Sequence, residues 1–192
     1  QTQNMQQLGW ASNAIPHRFI ATTGYTFKYA RAFATTVTLF YEGSPQNNFS
    51  FIYQNDMNGD GNSADLLYVP RNQSEIIFVN QTANPSQGIV AYTAQQQADA
   101  FELFIQNSSL KNRRGTYVNR NEALYPWLHN VNFQLQQDFN FNVKGKKQTI
   151  RLQADVLNFT NMLNKNWGVR YLNYTGGTGN VSPLIFDSVD PT

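Results

Sequence analysis

Two segments near the start of the chain alternate between apolar and polar residues. From Phe19 to Tyr29 the odd-numbered positions are mostly aromatic and the even-numbered positions are mostly polar or glycine, and residues 33–41 repeat the alternation. A side-chain period of two is that of a β-strand with one apolar face. With a short connection at Ala30–Ala32, the pattern predicts a hairpin with strands near residues 17–30 and 33–42.

A second pair of alternating segments predicts strands near residues 129–140 and 148–159. Val131, Phe133 and Leu135 alternate with Asn and Gln in the first of them, and aliphatic residues alternate with Arg, Gln and Asp in the second. The basic link between these strands contains Gly145, which supplies the positive φ that a tight turn requires. The chain therefore has about four long strands in two hairpins.

The four segments share a length and a composition that two architectures explain. Each has about the ten residues that a tilted strand needs to cross a membrane. Aromatic residues stand at the strand ends and Thr, Asn, Gln and Asp fill the polar faces, as in outer-membrane barrels. A soluble β-sandwich with one solvated face produces the same alternation. The alternation alone leaves both open.

The connections between the strands favour the barrel. The turns inside the hairpins are short, whereas residues 43–127 form one long connection and residues 160–192 a further one. Outer-membrane barrels alternate short periplasmic turns with long external loops. Within the long loop, the apolar residues of Ala94–Asn107 recur at helical spacing after Thr93, which predicts a short amphipathic helix capped by that threonine.

Composition excludes several classes of protein. The chain has 192 residues, with 14 Lys and Arg against 12 Asp and Glu, so it is not a strongly basic nucleic-acid binder. It has no cysteine, which excludes disulfides and thiolate metal sites. No apolar run approaches the roughly 20 residues of a transmembrane helix. The mean hydropathy of −0.49 is compatible with a barrel, because half of each barrel strand faces a polar lumen.

The ends of the chain have the appearance of a partial polypeptide. The first residue is Gln1 rather than an initiator methionine, and the chain stops just after a new apolar segment, Leu184–Phe186, begins. We therefore expect these residues to belong to a longer chain.

One short motif has the chemistry of a metal site. Residues 56–65 read DMNGDGNSAD, with oxygen-bearing side chains at the first, third and fifth positions and Gly61 at the sixth, as at the start of an EF-hand loop. Leu67 stands where that loop has its bidentate glutamate, and an aspartate two residues earlier is the available substitute. The predicted ligands of a structural calcium ion are Asp56, Asn58, Asp60, Asn62 and Asp65. A metal-free turn cluster of Asp, Asn and Gly is the alternative.

Other polar residues indicate structural roles. His17 and His129 each lie at a strand start beside aromatic residues, which favours packing over catalysis. A charged cluster in the long loop predicts an internal ion-pair network; its members are Arg113, Arg114, Arg120 and Glu122. No nucleophile and no acid–base pair stands in a catalytic context, so we expect no enzyme.

Taken in order, six stretches resemble the C-terminal barrel region of TonB-dependent outer-membrane transporters of Bacteroidetes type. The similarity is greatest to the Oar-like group, whose members carry a carboxypeptidase-regulatory-like domain at the N-terminus. The matching stretches run from about Trp10 to Gly168 and read IPHRFIATTGYTF, TTVTLFYEGSP, YQNDMNGDGNSADLLYVPR, FELFIQNSSLKNRRGTYVNRNEALYPW, LQQDFNF and LQADVLNFTNMLNKNWG.

This resemblance implies an all-β fold, the antiparallel transmembrane β-barrel, with about 22 strands around an N-terminal plug. It implies import of a bulky nutrient across the cell outer membrane with energy from TonB. The calcium motif maps to an external loop of the family, and the pairs Arg114-Gly115 and Arg120-Asn121 map to its RG…RN motif, whose role is unassigned. Implied partners are the rest of the barrel, the plug, the TonB complex and outer-membrane lipid, with a surface lipoprotein as a further candidate and no nucleic acid.

Residues 1–192 would then be a partial C-terminal barrel region. Four strands cannot close a barrel, because the smallest known barrels need about eight. The chain is therefore either part of a larger polypeptide or one chain of a split assembly. The side chains expected to face lipid are Phe19, Tyr25, Phe27, Val37, Leu39, Val131, Phe133, Leu135, Ile150, Leu152 and Val156.

A different class of protein accounts for part of the same pattern. A secreted, calcium-stabilised β-sandwich that binds carbohydrate or serves in adhesion would use the Asp/Asn loop and exposed Trp and Tyr residues. That alternative predicts a soluble monomer whose melting temperature falls when calcium is chelated.

Overall fold

A computed structural model describes residues 8–63, 65–170 and 179–188. These residues are mostly in β-structure, with antiparallel pairing in the largest sheet. The chain divides into two compact units. The first, which we call the mixed unit, takes its described residues from Gln1–Ser12, Asn48–Ala123 and Leu172–Thr192. The second, the sheet unit, takes them from Asn13–Asn47 and Leu124–Tyr171.

The described residues form ten strands, two α-helices and three short 3₁₀ helices. The strands are β1 (Phe19–Tyr29), β2 (Phe33–Pro45), β3 (Asn48–Phe49), β4 (Phe51–Tyr53), β5 (Tyr68–Val69), β6 (Thr116–Tyr117), β7 (Ala123–Leu124), β8 (Trp127–Val143), β9 (Lys146–Val156) and β10 (Val181–Leu184). The α-helices are α1 (Ala94–Gln106) and α2 (Phe159–Leu163). The 3₁₀ helices are Gln73–Glu75, Pro85–Gln87 and Ser109–Arg113.

The sheet unit is built on one antiparallel sheet in the order β1-β2-β8-β9. Both predicted hairpins are present, and pairing of β2 with β8 joins them. The turn between β8 and β9 has Lys144 and Gly145 at φ 49° and 76°, so the predicted positive φ at the glycine is confirmed. Two successive residues with positive φ are the mark of a type I′ hairpin turn.

The strand bounds differ from the predicted ones at several ends. β2 continues to Pro45 and β8 begins at Trp127, because these two residues still pair with each other. β9 ends at Val156 rather than near residue 159, since Asn158 turns into the left-handed region at φ 52° and α2 follows at once. Alternation alone does not reveal such a backbone reversal.

The mixed unit corrects the prediction of one long loop over residues 43–127. Residues 48–123 supply short strands, helices and a buried core of their own, whose members are Phe51, Ile52, Tyr53, Leu66, Leu67, Val69, Phe101, Ile105, Leu110, Val118 and Ala123. Outside α1, the apolar stretches in this part of the sequence are at most four residues long, too short to show a strand or helix period. Only their packing together produces a core.

The loop predicted over residues 160–192 also contains structure. Within the described residues it includes α2 and β10, and β10 pairs in parallel with β4, with Val181 opposite Phe51 and Leu184 opposite Tyr53. Parallel pairing between residues so distant in sequence leaves no local signal. The remaining parts of that prediction, residues 171–178 and 189–192, lie outside the described residues.

The helix predicted inside the long connection is confirmed as α1. Thr93 accepts a hydrogen bond from the Gln96 N–H, and the Gln96 side chain accepts one from the Thr93 N–H, which forms a capping box. Phe101 and Ile105 of α1 are buried in the core of the mixed unit. No helix in the described part of the chain combines the length and the apolar character needed to span a membrane.

Candidate functional site

The two faces of the sheet in the sheet unit differ sharply in chemistry. The register places Tyr25 opposite Val37, Val37 opposite Leu135, and Leu135 opposite Ala154. The eleven side chains expected to face lipid lie on one side of the sheet, because directly opposed residues point to the same side. That this side contacts lipid stays a prediction. We call this side the apolar face. Thr26, Thr36 and Gln136 lie on the opposite side, the polar face.

The apolar face is open to its surroundings. Tyr25 is 65% exposed, Leu152 is 60% exposed and Ile150 is 54% exposed. A soluble monomer rarely leaves a continuous apolar patch of more than a few hundred Å² uncovered. This face therefore has the chemistry of a surface that contacts an apolar environment.

Aromatic side chains border the apolar face at both ends of the strands. Near the hairpin turns, Phe33 contacts Tyr29 and Phe139 with ring centroids 5.7 and 5.6 Å apart. At the other end, Tyr41 contacts Phe19 with ring centroids 5.8 Å apart. Between these ends the face is mostly apolar, and its polar members are Thr23, Thr35 and Gln137. Aromatic belts on either side of an apolar band are typical of strands that cross a bilayer.

His129 belongs to the second belt. Its ring stacks between Tyr41 and Trp127, with centroids 6.0 Å from each, and its Nδ1 is 2.7 Å from the Tyr41 hydroxyl. The role predicted for this residue, packing beside aromatic rings, is confirmed. His17, the other histidine, is exposed.

The polar face carries hydrogen bonds between side chains of neighbouring strands. Arg151 binds both carboxylate oxygens of Asp138 across the strand pair, at 2.7 and 2.9 Å. Asp155 accepts hydrogen bonds from the amides of Gln134 and Gln153, at 2.8 and 2.7 Å. This hydrophilic surface suits a water-filled space or a hydrophilic partner rather than a hydrophobic core.

The calcium motif forms a tight loop in which acidic side chains accept backbone hydrogen bonds. The Asp56 carboxylate accepts from the N–H groups of Gly59, Asp60 and Gly61, at 2.7, 3.2 and 2.7 Å. These donors, first among them Gly61, lower the pKa of Asp56 from its ordinary value, because they stabilise the ionised form. Gly59 and Gly61 have φ of 74° and 85°, which the curvature of the loop requires.

The Asp65 side chain contacts the start of this loop. Its side chain is almost fully buried, with 5% of the residue exposed. It accepts hydrogen bonds from the N–H of Met57 at 2.8 Å and from the side-chain amide of Asn58 at 2.6 Å. The carboxylate therefore fastens the loop, and this contact is one that the sequence spacing does not reveal.

The structure brings four of the five predicted ligands into contact within the loop. Asn58 and Asp60 accept from the N–H groups two residues further on, at 2.9 and 3.0 Å, and Asn62 contributes its N–H while its side chain is exposed. Carboxylate and amide oxygens are the donors that calcium prefers, so the donor set fits the ion. Among the described residues, no three His, Asp or Glu side chains converge as a metal-binding group.

The Arg114-Gly115 pair acquires a structural role. Arg114 donates to the Pro70 carbonyl at 3.1 Å and forms an ion pair with Glu102 of α1, which lowers the pKa of that carboxyl. Gly115 has φ 75°, and its N–H donates to the Val69 carbonyl at 2.7 Å. The pair thus connects α1 to β5 and the adjacent Pro70, which follow the loop of residues 56–65.

The Arg120-Asn121 pair contacts two other segments of the mixed unit. The buried Asn121 exchanges hydrogen bonds with the Ser50 hydroxyl and donates to the Trp10 carbonyl at 2.8 Å. Arg113 forms an ion pair with Glu122 nearby. Of the predicted ion-pair network, only the Arg113–Glu122 pair is present; Arg114 pairs with Glu102, outside the predicted cluster, and no ion pair of the described residues includes Arg120. The roles of Ser50 and Glu102 had no signal in the sequence.

Similarity to known proteins adds nothing to these observations. Comparison of the chain with protein-family models, curated proteins and solved structures finds no match. Its function is therefore inferred from the two faces of the sheet and from the loop of residues 56–65.

Proposed function

We propose that this chain is part of a TonB-dependent outer-membrane transporter that imports a bulky nutrient. The observation that supports this most directly is the exposed apolar face of the sheet unit with an aromatic belt at each end. In the proposed function this face contacts outer-membrane lipid and the polar face lines the lumen or contacts the plug. A soluble β-sandwich would need to cover the same face with a second sheet.

The dimensions of the apolar face support the proposal. Phe19 and Tyr29 belong to opposite belts and stand ten residues apart in β1. At roughly 3.4 Å per residue the belts are about 34 Å apart along the strand, which a tilt of about 40° reduces to about 26 Å. The apolar band of an outer-membrane barrel is about 25 Å tall. The strand is therefore long enough to cross such a membrane.

The edges of the sheet support a role within a larger assembly. β1 and β9 each pair with one neighbour only in the described residues. An exposed edge of eleven residues offers a row of unpaired N–H and C=O groups to another strand. In lipid these groups must be satisfied, so the proposed partners at both edges are further strands of the same barrel.

The mixed unit is proposed as the external part of the transporter. Its largest segment, residues 48–123, follows β2 and precedes β8 in sequence, whereas the short turns connect the other ends of these strands. Short turns face the periplasm and long connections face outward in outer-membrane barrels. We further propose that residues 56–65 bind a structural calcium ion there, with Asp56, Asn58, Asp60, Asn62 and Asp65 as the ligand set.

Fractionation of the cells that make this protein tests the transporter proposal. An antibody raised against the mixed unit is expected to detect a band several-fold larger than 21.9 kDa in the outer-membrane fraction. A band near 21.9 kDa in the same fraction would instead indicate one chain of a split barrel. Detection only in the soluble or secreted fraction would overturn the proposal and favour the sandwich module.

Calcium is expected to raise the melting temperature of the mixed unit, and Asp60→Asn is expected to remove that increase. The substitution removes one negative charge but keeps a side-chain oxygen for the Asn62 N–H, so the loop retains its hydrogen bond. A ligand at a hundred times its dissociation constant stabilises the folded state by about 2.7 kcal/mol. The measurement is thermal unfolding of the purified protein in excess calcium and in chelator.

Asp99→Asn provides the matched control for the calcium experiment. Asp99 is an exposed acid of α1 whose carboxylate accepts hydrogen bonds from Gln73 and Gln95. This variant should keep the full calcium response. If the melting temperature of the parent protein is the same in calcium and in chelator, the loop is a metal-free turn cluster.

A further inference from the structure

The mixed unit contains a cavity that the proposed transport role does not require. It has a volume of about 590 Å³ and opens beside α1. Its wall combines Phe78 and Tyr92, which precede the helix, with Phe101 and Phe104 of the helix and Leu184 of β10. Concave sites of about 300–1,000 Å³ lined by aromatic and aliphatic side chains are the usual form of small-molecule sites.

The wall of the cavity excludes a charged ligand. Among the described residues that line it, none is Asp, Glu, Lys, Arg or His. An ion that entered would lose its hydration without gaining a counter-charge, which is costly in an apolar environment. The ligand chemistry that fits this wall is uncharged and largely apolar.

Three polar groups at the cavity can orient such a ligand. Gln96 uses its side-chain oxygen to accept from the Thr93 N–H at 2.9 Å, and Gln97 uses its side-chain N–H to donate to the Val79 carbonyl at 2.6 Å. In the described part of the structure, no hydrogen bond engages the other half of either amide or the Tyr92 hydroxyl. These groups offer a donor, an acceptor and a hydroxyl next to the aromatic wall.

The aromatic wall is held in place by the core. Phe101 is 6% exposed and its ring lies 6.0 Å from that of Phe78. Phe104 contacts the buried ring of Phe51 with centroids 5.9 Å apart. Because these rings are already ordered, binding causes little further loss of side-chain conformational entropy.

From this geometry we infer that the cavity binds an uncharged molecule that combines a ring with a hydrogen-bonding group. The ring packs against Phe78, Phe101 and Phe104, and the polar group meets the free amide groups of Gln96 and Gln97. The inference does not depend on where the protein is located or on what it transports, because all the residues concerned belong to the mixed unit.

Cysteine labelling tests the inference, since the natural chain has no cysteine. Ala100 lines the cavity and is exposed, so Ala100→Cys places a single thiol at the site without disturbing the core. The full chain is treated with a cationic methanethiosulfonate reagent in the presence of 2-naphthalenemethanol, indole or cyclohexanemethanol. At ten times its dissociation constant, a bound probe should slow the labelling about tenfold by mass action.

Two controls make the result specific. Leu103→Cys lies on α1 outside the cavity and is exposed, so its labelling rate should not respond to any probe. The second control is naphthoate, which replaces the alcohol of the first probe by a carboxylate. The concentration of naphthoate that halves the labelling rate of Ala100→Cys should be at least about tenfold higher than that of the alcohol, because no charged group among the described lining residues compensates the carboxylate. Failure of all three neutral probes to protect, or equal protection by naphthoate, would overturn the inference.

Discussion

Replacing Val37 by lysine is expected to lower the free energy of unfolding in a lipid bilayer by about 2–4 kcal/mol, the cost of a cation on the lipid face at mid-depth. Val37 lies on the apolar face between Tyr25 and Leu135. It is four positions along β2 from Phe33 and four from Tyr41, which belong to opposite aromatic belts. The measurement is denaturant unfolding of the polypeptide that contains these residues, folded into phospholipid vesicles.

Thr36→Lys is the matched control for this prediction. Thr36 is the adjacent residue of β2 but lies on the polar face, where its hydroxyl is 2.9 Å from that of Thr26. Loss of one exposed hydrogen bond costs about 0.5–1.5 kcal/mol, and the new ammonium group remains in a hydrophilic environment. Equal losses of unfolding free energy at the two positions would show that the apolar face does not contact lipid. The same conclusion would follow if the protein stayed in the aqueous phase and did not insert into the vesicles.

Leu67→Ala is expected to destabilise the mixed unit by about 2–5 kcal/mol, the range for removing a leucine side chain from a packed core. Leu67 is fully buried, and its backbone is paired on both sides: its N–H donates to the Phe51 carbonyl and its carbonyl accepts from the Val118 N–H. The backbone contacts survive the substitution, so the loss reports side-chain packing. Because Leu67 follows Asp65 by two residues, the loop of residues 56–65 should also become easier to open.

Leu103→Ala is the matched control, because it makes the same leucine-to-alanine change at an exposed position. Leu103 is 60% exposed on α1, and alanine favours a helix, so the change should cost less than about 0.5 kcal/mol. Hydrogen exchange of amides in residues 48–123 is the measurement, since it reports on the mixed unit by itself. Similar exchange rates in the two variants would mean that residues 43–127 form a loosely packed loop after all.

The features that sequence analysis predicted well depend on near neighbours. The hairpins, the sorting of Val37 and Thr36 to opposite faces, and the capped helix α1 all follow from spacings of one to four residues. Steric and hydrogen-bonding preferences act over those distances, and each extra turn of strand or helix repeats the same signal. The four long strands lie where this reasoning predicted them, apart from their ends.

The spacing within residues 56–65 predicted only part of the structure of this loop, and its binding of calcium stays a prediction. The order of Asp, Asn and Gly residues indicated a tight loop, and Asp56 does gather three backbone N–H groups around its carboxylate. The burial of Asp65 and its bonds to Met57 and Asn58 depend on how the chain returns after the loop. The spacing of residue types in a motif does not determine the course of the chain after the loop.

The sequence by itself determined the period-two strands, their two chemically distinct faces, the capped helix and the hard-oxygen character of residues 56–65. Only the tertiary structure decided that residues 48–123 form a folded unit, that β10 pairs with β4, and that Arg114 ties α1 to the chain at Pro70. The physical reason is the range of the interactions. Local periodicity is repeated along one segment, whereas the core of the mixed unit is assembled from short apolar stretches that stabilise one another only when packing brings them together.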